Sequence, residues 1–128
     1  MAQMSDYLEE KLYNHVFRGA AYTAPSAIYM GLFLSDPKED ASGAEVSGGG
    51  YARQQITMAA PVDGEGKNQN DIIFPIALTD WGTITHVAIF DALTGGNMLV
   101  YMPISNPKTI EAQMQFRVPP NYLSLAMR

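Results

Sequence analysis

The sequence predicts a mainly β fold, an antiparallel, jelly-roll-like β-sandwich of about seven strands with one N-terminal α-helix. One amphipathic segment near the start has the helical period, and no second such segment follows it. Short stretches rich in β-branched and aromatic residues recur instead, separated by stretches of turn-forming residues. Because parallel strands need a long crossover, usually a helix, this pattern favours antiparallel pairing.

The chain has 128 residues, of which 47% are apolar, enough for one buried core. We therefore predict a single structural domain over residues 1–128, with the helix at residues 6–18 and the sandwich at residues 26–128. Charged residues make up 16%, below the share of about a quarter that is usual. This indicates either a surface partly covered in a permanent assembly or an uncharged polar surface.

The boundaries of the helix are marked by capping residues. Ser5 or Asp6 is suited to the N-cap, and Asp6 with Glu9 has the spacing of a capping box. Gly19 is suited to the C′ position, where a left-handed backbone ends many helices. We therefore expect the helix to begin near Asp6 and to end at Arg18.

One face of this helix is apolar. Leu8, Leu12 and Val16 repeat every four residues, with Tyr13 and Phe17 beside them. The stripe predicts that the helix lies across a sheet or against a neighbouring protein.

The predicted strands are residues 26–34, 51–58, 71–74, 83–90, 97–102, 113–118 and 122–127. The first is apolar on both faces, which is typical of a strand covered on both sides. In the sixth, Met114, Phe116 and Val118 alternate with polar residues and are expected to point inward.

Glycine-rich and proline-rich stretches connect the strands. Residues 91–97 predict a hairpin turn, and residues 61–70 predict a loop. Residues 35–50 form the longest loop, interpreted either as a segment that orders only against a neighbour or as a mobile surface loop. Prolines 103, 107, 119 and 120 are expected to interrupt the C-terminal strands, because proline has no N–H to donate.

The chain has few of the residues that catalysis or metal binding requires. It has no cysteine and two histidines, His15 and His86, neither with a His, Asp or Glu at ligand spacing. The glycines at residues 48–50 precede a strand rather than a helix, so they predict a turn and not a phosphate site. We predict no catalytic residue, no bound metal, no cofactor and no enzymatic activity.

Carboxylates leave two alternatives to that prediction. The acidic loops offer oxygen ligands for a cation, although solvated loops are the favoured interpretation. Asp80 and Asp91 are the acids that a carbohydrate-active enzyme would need as a pair.

Charge and hydropathy argue against two classes of partner. The net charge is −5 and the basic residues are scattered, so we expect no direct contact with nucleic acid. No apolar run reaches the length of about 20 residues that crosses a bilayer, and the N-terminus lacks a signal-peptide pattern. The expected product is a soluble intracellular protein without a membrane partner.

Three blocks of sequence carry a resemblance: YLEEKLYNHVFRG at residues 7–19, SGGGYARQ at residues 47–54 and DWGTITHVAIFDALTGGN at residues 80–97. In this order they resemble a family of small tailed-bacteriophage virion proteins, commonly labelled tail fibre or minor structural proteins. The resemblance covers nearly the whole chain. It implies a non-enzymatic structural protein, made in the host bacterial cytoplasm and located in the virion.

Two functions follow from the resemblance. The first is a capsid decoration or cement protein that stabilises the shell. The second is a tail, baseplate or tail-fibre component that contacts the host surface. Trp81 would be a glycan platform in that case, although an anchor of the turn before residues 83–90 or an interface residue is the favoured interpretation of this tryptophan. The expected partners are the major capsid protein or tail proteins and copies of the chain, as dimers or trimers. The interface candidates are Leu8, Leu12, Val16, Trp81, Tyr51 and Arg53.

Overall fold

The computed structural model of the chain describes residues 2–126. Its elements are, in order, β1 (Gln3–Met4), α1 (Asp6–Arg18), β2 (Ile28–Phe33), β3 (Gln54–Ile56), β4 (Glu65–Lys67), β5 (Ile72–Ile73), β6 (Gly82–Phe90), β7 (Met98–Ile110), β8 (Arg117–Val118) and β9 (Ser124–Ala126). The predicted fold class, mainly antiparallel β with one N-terminal helix, is confirmed. No helix among the described residues is long and apolar enough to cross a membrane.

A five-stranded antiparallel sheet forms the main layer, in the order β1-β7-β6-β2-β3. Two short antiparallel ladders, β4–β9 and β5–β8, complete the fold. On one side of the sheet, which we call the inner face, Met30 and Leu32 share a core with Phe74, Phe116 and Leu123 from the ladder side. The ladders therefore form the second layer of the sandwich.

The opposite side of the sheet, which we call the outer face, has a smaller core. It consists of Phe33, Ala88, Phe90, Met98 and Tyr101, with Ala41 packed against it. The prediction that this strand is apolar on both faces is therefore confirmed, with Met30 inward and Phe33 outward. Both faces of this strand are covered, because four of its six residues are buried.

The helix begins and ends where the sequence predicts. Ser5 is the N-cap, and its Oγ accepts a hydrogen bond from the N–H of Leu8 at 3.2 Å and donates to the carbonyl of Met98. Gly19 is left-handed, with φ 69°, and donates to the carbonyl of Asn14. The capping box of Asp6 with Glu9 is wrong, because Ser5 already occupies the N-cap and the residue three positions on is Leu8.

Only the first half of the apolar stripe on α1 is covered. The helix packs against β1 and β7, where Leu8 is buried and Leu12 is half-buried. The second half is open, since Val16 is 64% exposed and Phe17 is 73% exposed.

Strand β7 is longer than predicted and includes two of the four prolines. Its pairing with β6 jumps from His86↔Pro103 to Ile84↔Lys108, so residues 104–107 bulge out of the ladder. On its other edge, β1 pairs only with Val100 and Tyr101. Pro107 lies in the bulge and Pro103 at its start, so β7 continues through these prolines, whereas its pairing with β6 is interrupted beside them as expected.

The other C-terminal predictions are only partly right. The predicted strand at residues 113–118 shrinks to β8, because the chain turns at Met114, whose N–H bonds to the carbonyl of Glu111. Phe116 is buried as expected, but Met114 is 45% exposed. Of the strand predicted at residues 122–127, the part at Ser124–Ala126 forms β9. Met127 lies outside the described residues.

The long loop at residues 35–50 is fixed against its own chain. Leu34 donates to the carbonyl of Ala44 at 2.8 Å, and Val46 donates to the carbonyl of Leu32 at 2.9 Å. Val46 is buried in the main core. The interpretation of a segment that orders only against a neighbour is therefore not supported.

Asn68, in a stretch predicted as loop, is the main polar link between the ladders. Its side chain is fully buried, donates to the carbonyls of Asn70 at 2.8 Å and Pro119 at 3.0 Å, and accepts from the N–H of Leu123 at 2.8 Å. Its backbone N–H bonds to the carbonyl of Leu123. A single amide thus ties β4 to the segment that leads into β9.

We expect Asn68→Ala to lower the free energy of unfolding by about 2–4 kcal/mol, because three backbone groups lose their partner in a buried place. Urea unfolding followed by tryptophan fluorescence measures the loss. Gln69→Ala, at the exposed neighbouring position, is the control and should have little effect. Equal stability of the two variants would contradict the assigned role of Asn68.

Candidate functional site

Two of the sequence blocks quoted above meet in space. The indole Nε1 of Trp81 donates to the carbonyl of Gly49 at 3.0 Å. The guanidinium of Arg53 donates from Nη1 to the carbonyls of Ala92 at 3.0 Å and Gly95 at 2.8 Å. Residues 47–54 and 80–97 therefore form one unit at the end of the sheet, and the cluster at its centre is the candidate site.

The centre of this cluster is a two-pronged ion pair. Arg53 donates from Nε to Oε2 of Glu45 at 2.9 Å and from Nη2 to Oε1 at 2.9 Å. The guanidinium carbon also lies 3.6 Å from the centre of the Phe90 ring. The Arg53 side chain is 8% exposed and that of Glu45 is 23% exposed. Planar pairing in a largely water-free place makes these charge-assisted bonds strong.

Tyr51 joins the ion pair to the core. Its hydroxyl donates to Oε2 of Glu45 at 2.6 Å and accepts from the N–H of Leu32 at 3.0 Å. Its ring stacks on Phe74, with ring centroids 6.2 Å apart, and is nearly perpendicular to the Trp81 ring, with centroids 5.5 Å apart. Burial, together with the hydrogen bond to Glu45, raises the pKa of Tyr51 well above its usual range.

Two glycines make room for the cluster. A Cβ at Gly31 in β2 would lie 2.8 Å from Oε2 of Glu45, so a side chain there would push the carboxylate off the outer face. Gly49 has φ 60°, and a Cβ there would lie 3.0 Å from Nε1 of Trp81. The glycines at residues 48–50 form the predicted turn, in which Tyr51 donates to the carbonyl of Gly48.

A shallow cleft of about 350 Å³ opens beside the cluster, lined by Glu45, Tyr51, Arg53, Leu93 and neighbouring loop residues. The two charged groups that line it already bind each other, and the Tyr51 hydroxyl is engaged in two hydrogen bonds. The arrangement therefore holds two loops in place, and its polar groups have little capacity left for a ligand.

The acids suspected of catalysis belong to turns. Asp80 accepts from the N–H of Ala112 at 2.8 Å, and Asp91 accepts from the N–H of Asn97 at 2.7 Å. The two acids flank β6, whose nine residues separate their backbones by roughly 30 Å at about 3.3 Å per residue. Glycoside hydrolysis requires paired carboxyl groups less than about 10 Å apart. Asp80 and Asp91 therefore cannot form that pair.

Within residues 2–126, one group of three carboxylates has a spacing suited to a metal: Asp6, Glu9 and Glu39, whose oxygen atoms lie within 4.8 Å of one another. All three are exposed. Asp6 and Glu9 lie in the first turn of α1, where the helix dipole favours negative charge, and Glu39 belongs to the loop whose carbonyl accepts from the N–H of Asp6. His86 bonds through Nδ1 to the hydroxyl of Thr85 at 2.8 Å.

The interface candidates fall into two groups. Leu8, Trp81, Tyr51 and Arg53 contact their own chain, and Trp81 is 5% exposed with its Nε1 occupied, so it anchors the turn before β6. Val16 is exposed and Leu12 is half-buried. Their role in an interface stays a prediction.

Sequence reasoning missed Glu45 as the partner of Arg53 and Asn68 as a buried hub. Both residues lie in loops. Their hydrogen-bonding partners are either far away in the chain or separated from them by a number of residues that follows no recognisable pattern. The one available signal is that a lone arginine follows the glycine turn in a chain of low charge.

We expect Arg53→Lys to lower the free energy of unfolding by about 2–3 kcal/mol, because lysine cannot bind both carboxylate oxygens and both loop carbonyls. Chemical denaturation measures the change. Arg117→Lys is the matched control, since Arg117 also binds both oxygens of a carboxylate, that of Asp71, but at an exposed site. It should stay close to wild type. Similar losses in both variants would rule out a special contribution from the Arg53 cluster.

We expect the stability to fall as the pH rises above about 10, because the unfolded chain then releases a proton that folded Tyr51 retains. The pKa values of Tyr22 and Tyr101 are also raised, chiefly by burial, and add to this slope. Tyr51→Phe should therefore have a shallower decline than wild type when urea midpoints are compared between about pH 8 and about pH 11. An unchanged slope would contradict the assignment.

The comparison with known families gives a match over nearly the whole chain. A family model described as podophage GP4 fiber I protein gp80 matches residues 3–126 and so includes all three quoted blocks. Among curated proteins, none matches the chain. The predicted resemblance to tailed-phage structural proteins is confirmed, and the chain belongs to the family of podophage GP4 fiber I protein gp80.

Proposed function

We propose that this chain is a fibre component of a tailed-phage virion and that it works by non-covalent packing, without enzymatic activity. The observation that carries the proposal is the family match over residues 3–126, whose description names a fibre protein of a podophage. It supports the second of the two functions considered from the sequence better than capsid decoration, which stays a prediction without a supporting observation.

The geometry is consistent with a structural role. The best-organised polar cluster, around Arg53, is used to fix the loops that cover the outer face. The acids considered for catalysis hold turns. The proposed partners are other virion proteins and copies of the chain, in a single domain that assembles as dimers or trimers.

Contact with the host surface does not depend on Trp81 in this proposal. A glycan platform needs an exposed ring face, whereas this indole is 5% exposed and bonded to Gly49. Among residues 2–126, the exposed tyrosine and phenylalanine rings are those of Tyr13, Phe17 and Tyr122.

We expect purified particles to contain a small number of copies located on the tail, because a fibre is attached at a few symmetric positions. Quantitative mass spectrometry against the major capsid protein gives the copy number, and immunogold labelling gives the location. Labelling spread over the head, with on the order of hundreds of copies, would overturn the fibre proposal in favour of capsid decoration.

A further inference from the structure

A cavity enters the sandwich where the bulge in β7 separates residues 104–107 from β6. Its volume is about 310 Å³, and its lining includes Met30, Val87 and Leu123, which are buried members of the main core. Because the bulge removes the strand pairing that closes the sandwich elsewhere, the apolar space between the layers is open at this point. We call this space the inner cavity.

A wider groove lies at the mouth of the inner cavity. Its volume is about 570 Å³, and it shares Ile104, Ser105, Phe116 and Tyr122 with the cavity. Tyr122 stands at the rim with 76% of its surface exposed. Ligand sites in proteins have volumes of about 300–1,000 Å³ and are mostly apolar with a few polar groups. The cavity and the groove together therefore have the size and lining of a small-molecule site.

The polar part of this site is basic. Lys108 and Arg117 line the groove, and among the described residues that line either space there is no acidic side chain, in a chain with net charge −5. Asp71 bonds to Nε and Nη2 of Arg117, which leaves Nη1 for another acceptor. Lys108 forms no ion pair within residues 2–126. The groove therefore favours an anionic group, next to an apolar space.

The inner cavity has the size of one aliphatic chain. A cavity of about 150 Å³ in a protein core is large enough to bind benzene. The inner cavity, of about 310 Å³, has room for an alkyl chain of on the order of ten carbons by the same measure. A sugar would fit this space poorly, because its hydroxyl groups would lie among side chains that offer few hydrogen bonds.

We propose that this site binds a free aliphatic carboxylate with a single chain, that is, a fatty acid of medium length. The alkyl chain occupies the inner cavity, and the carboxylate lies in the groove beside Lys108 and Arg117. Two observations define this ligand: the basic groups at the mouth and the apolar lining behind them. The inference goes beyond the proposed function, because it assigns a small-molecule site to the chain.

Methionine methyl groups report on the inner cavity directly. With isotope-labelled methionine, we expect decanoate to shift the NMR signals of Met30 and Met102, which line the cavity, in a saturable manner below its micelle concentration. Met98 is the internal control, because it lies in the small core of the outer face, and its signal should stay in place. The absence of any shift, or equal shifts of all three signals, would overturn the proposal.

Ligands that differ in one property test the chemical class. Octanoate should bind on the order of tenfold more weakly than decanoate, because each buried methylene strengthens binding about fourfold. Decanol, which has no charge, and decyltrimethylammonium, which has the opposite charge, should bind at least about tenfold more weakly than decanoate. Affinities of these two ligands equal to that of decanoate would contradict the assigned role of the basic groups.

Two substitutions test the position of the ligand. Ser105→Phe places a ring in the mouth shared by the cavity and the groove, and should abolish the response to decanoate. Ser105 is exposed, so we expect the variant to fold, which circular dichroism verifies. The matched control is Thr94→Phe at an exposed position on the turn at residues 91–97, which should bind like wild type.

The second substitution removes a charge without adding bulk. Lys108→Gln should weaken decanoate binding about threefold, whereas Lys11→Gln, on α1 and away from the groove, should have no effect. Wild-type affinity in both Lys108→Gln and Ser105→Phe would place the ligand elsewhere and overturn the proposal.

A membrane offers the same combination of acyl chain and anionic group, so vesicles separate the two sources. We expect no cosedimentation of the chain with phosphatidylglycerol vesicles. Cosedimentation that Ser105→Phe abolishes would assign the site to a membrane lipid and overturn the proposal of a free acid. Copy number and location on the particle are measured independently, so failure of this proposal leaves the proposed function standing.

Discussion

The ion pair between Arg53 and Glu45 is the interaction on which the outer half of the fold depends. Three separate backbone segments meet at the guanidinium: the loop that carries Glu45, the approach to β3, and the turn with Ala92 and Gly95. Because the pair is largely removed from water, an unpaired partner would be costly, and the segments are held together as a set. The same group covers Phe90, so the charge cluster also closes the small apolar core of the outer face.

The inner half of the sandwich is built differently and is less evenly closed. Its second layer consists of two short ladders rather than a continuous sheet, and Asn68 supplies the polar link that sheet pairing would otherwise give. The bulge in β7 separates residues 104–107 from β6 and leaves a groove beside Phe116. The outer half of the fold is therefore fixed by internal charge pairing, whereas the inner half presents apolar and basic groups to solvent at this groove.

This separation between a fixed frame and exposed surfaces fits a member of a phage fibre family. A protein that functions by packing, as we propose for this chain, needs a rigid frame and surfaces left for neighbours, and it needs no arrangement of reactive groups. The frame uses polar residues of the blocks at residues 47–54 and 80–97 for its own loops. The exposed surfaces of α1 and of the groove are made of different residues. Trp81 and Arg53, which the sequence suggests as interface residues, contribute contacts to the frame, and their role in an interface stays a prediction.

From the sequence alone, local periodicity and capping determined the helix at Asp6–Arg18, the strands β2 and β6, and the glycine turn before Tyr51. Each of these elements depends on interactions between residues that are close together in the chain. The tertiary structure decided the rest. A local pattern contains no information on which distant carbonyl or carboxylate completes a buried polar group, so the partners of Arg53 and Asn68 could not be predicted. Nor does alternation show where a strand is paired, and the bulge at residues 104–107 therefore emerged only from the register between β6 and β7.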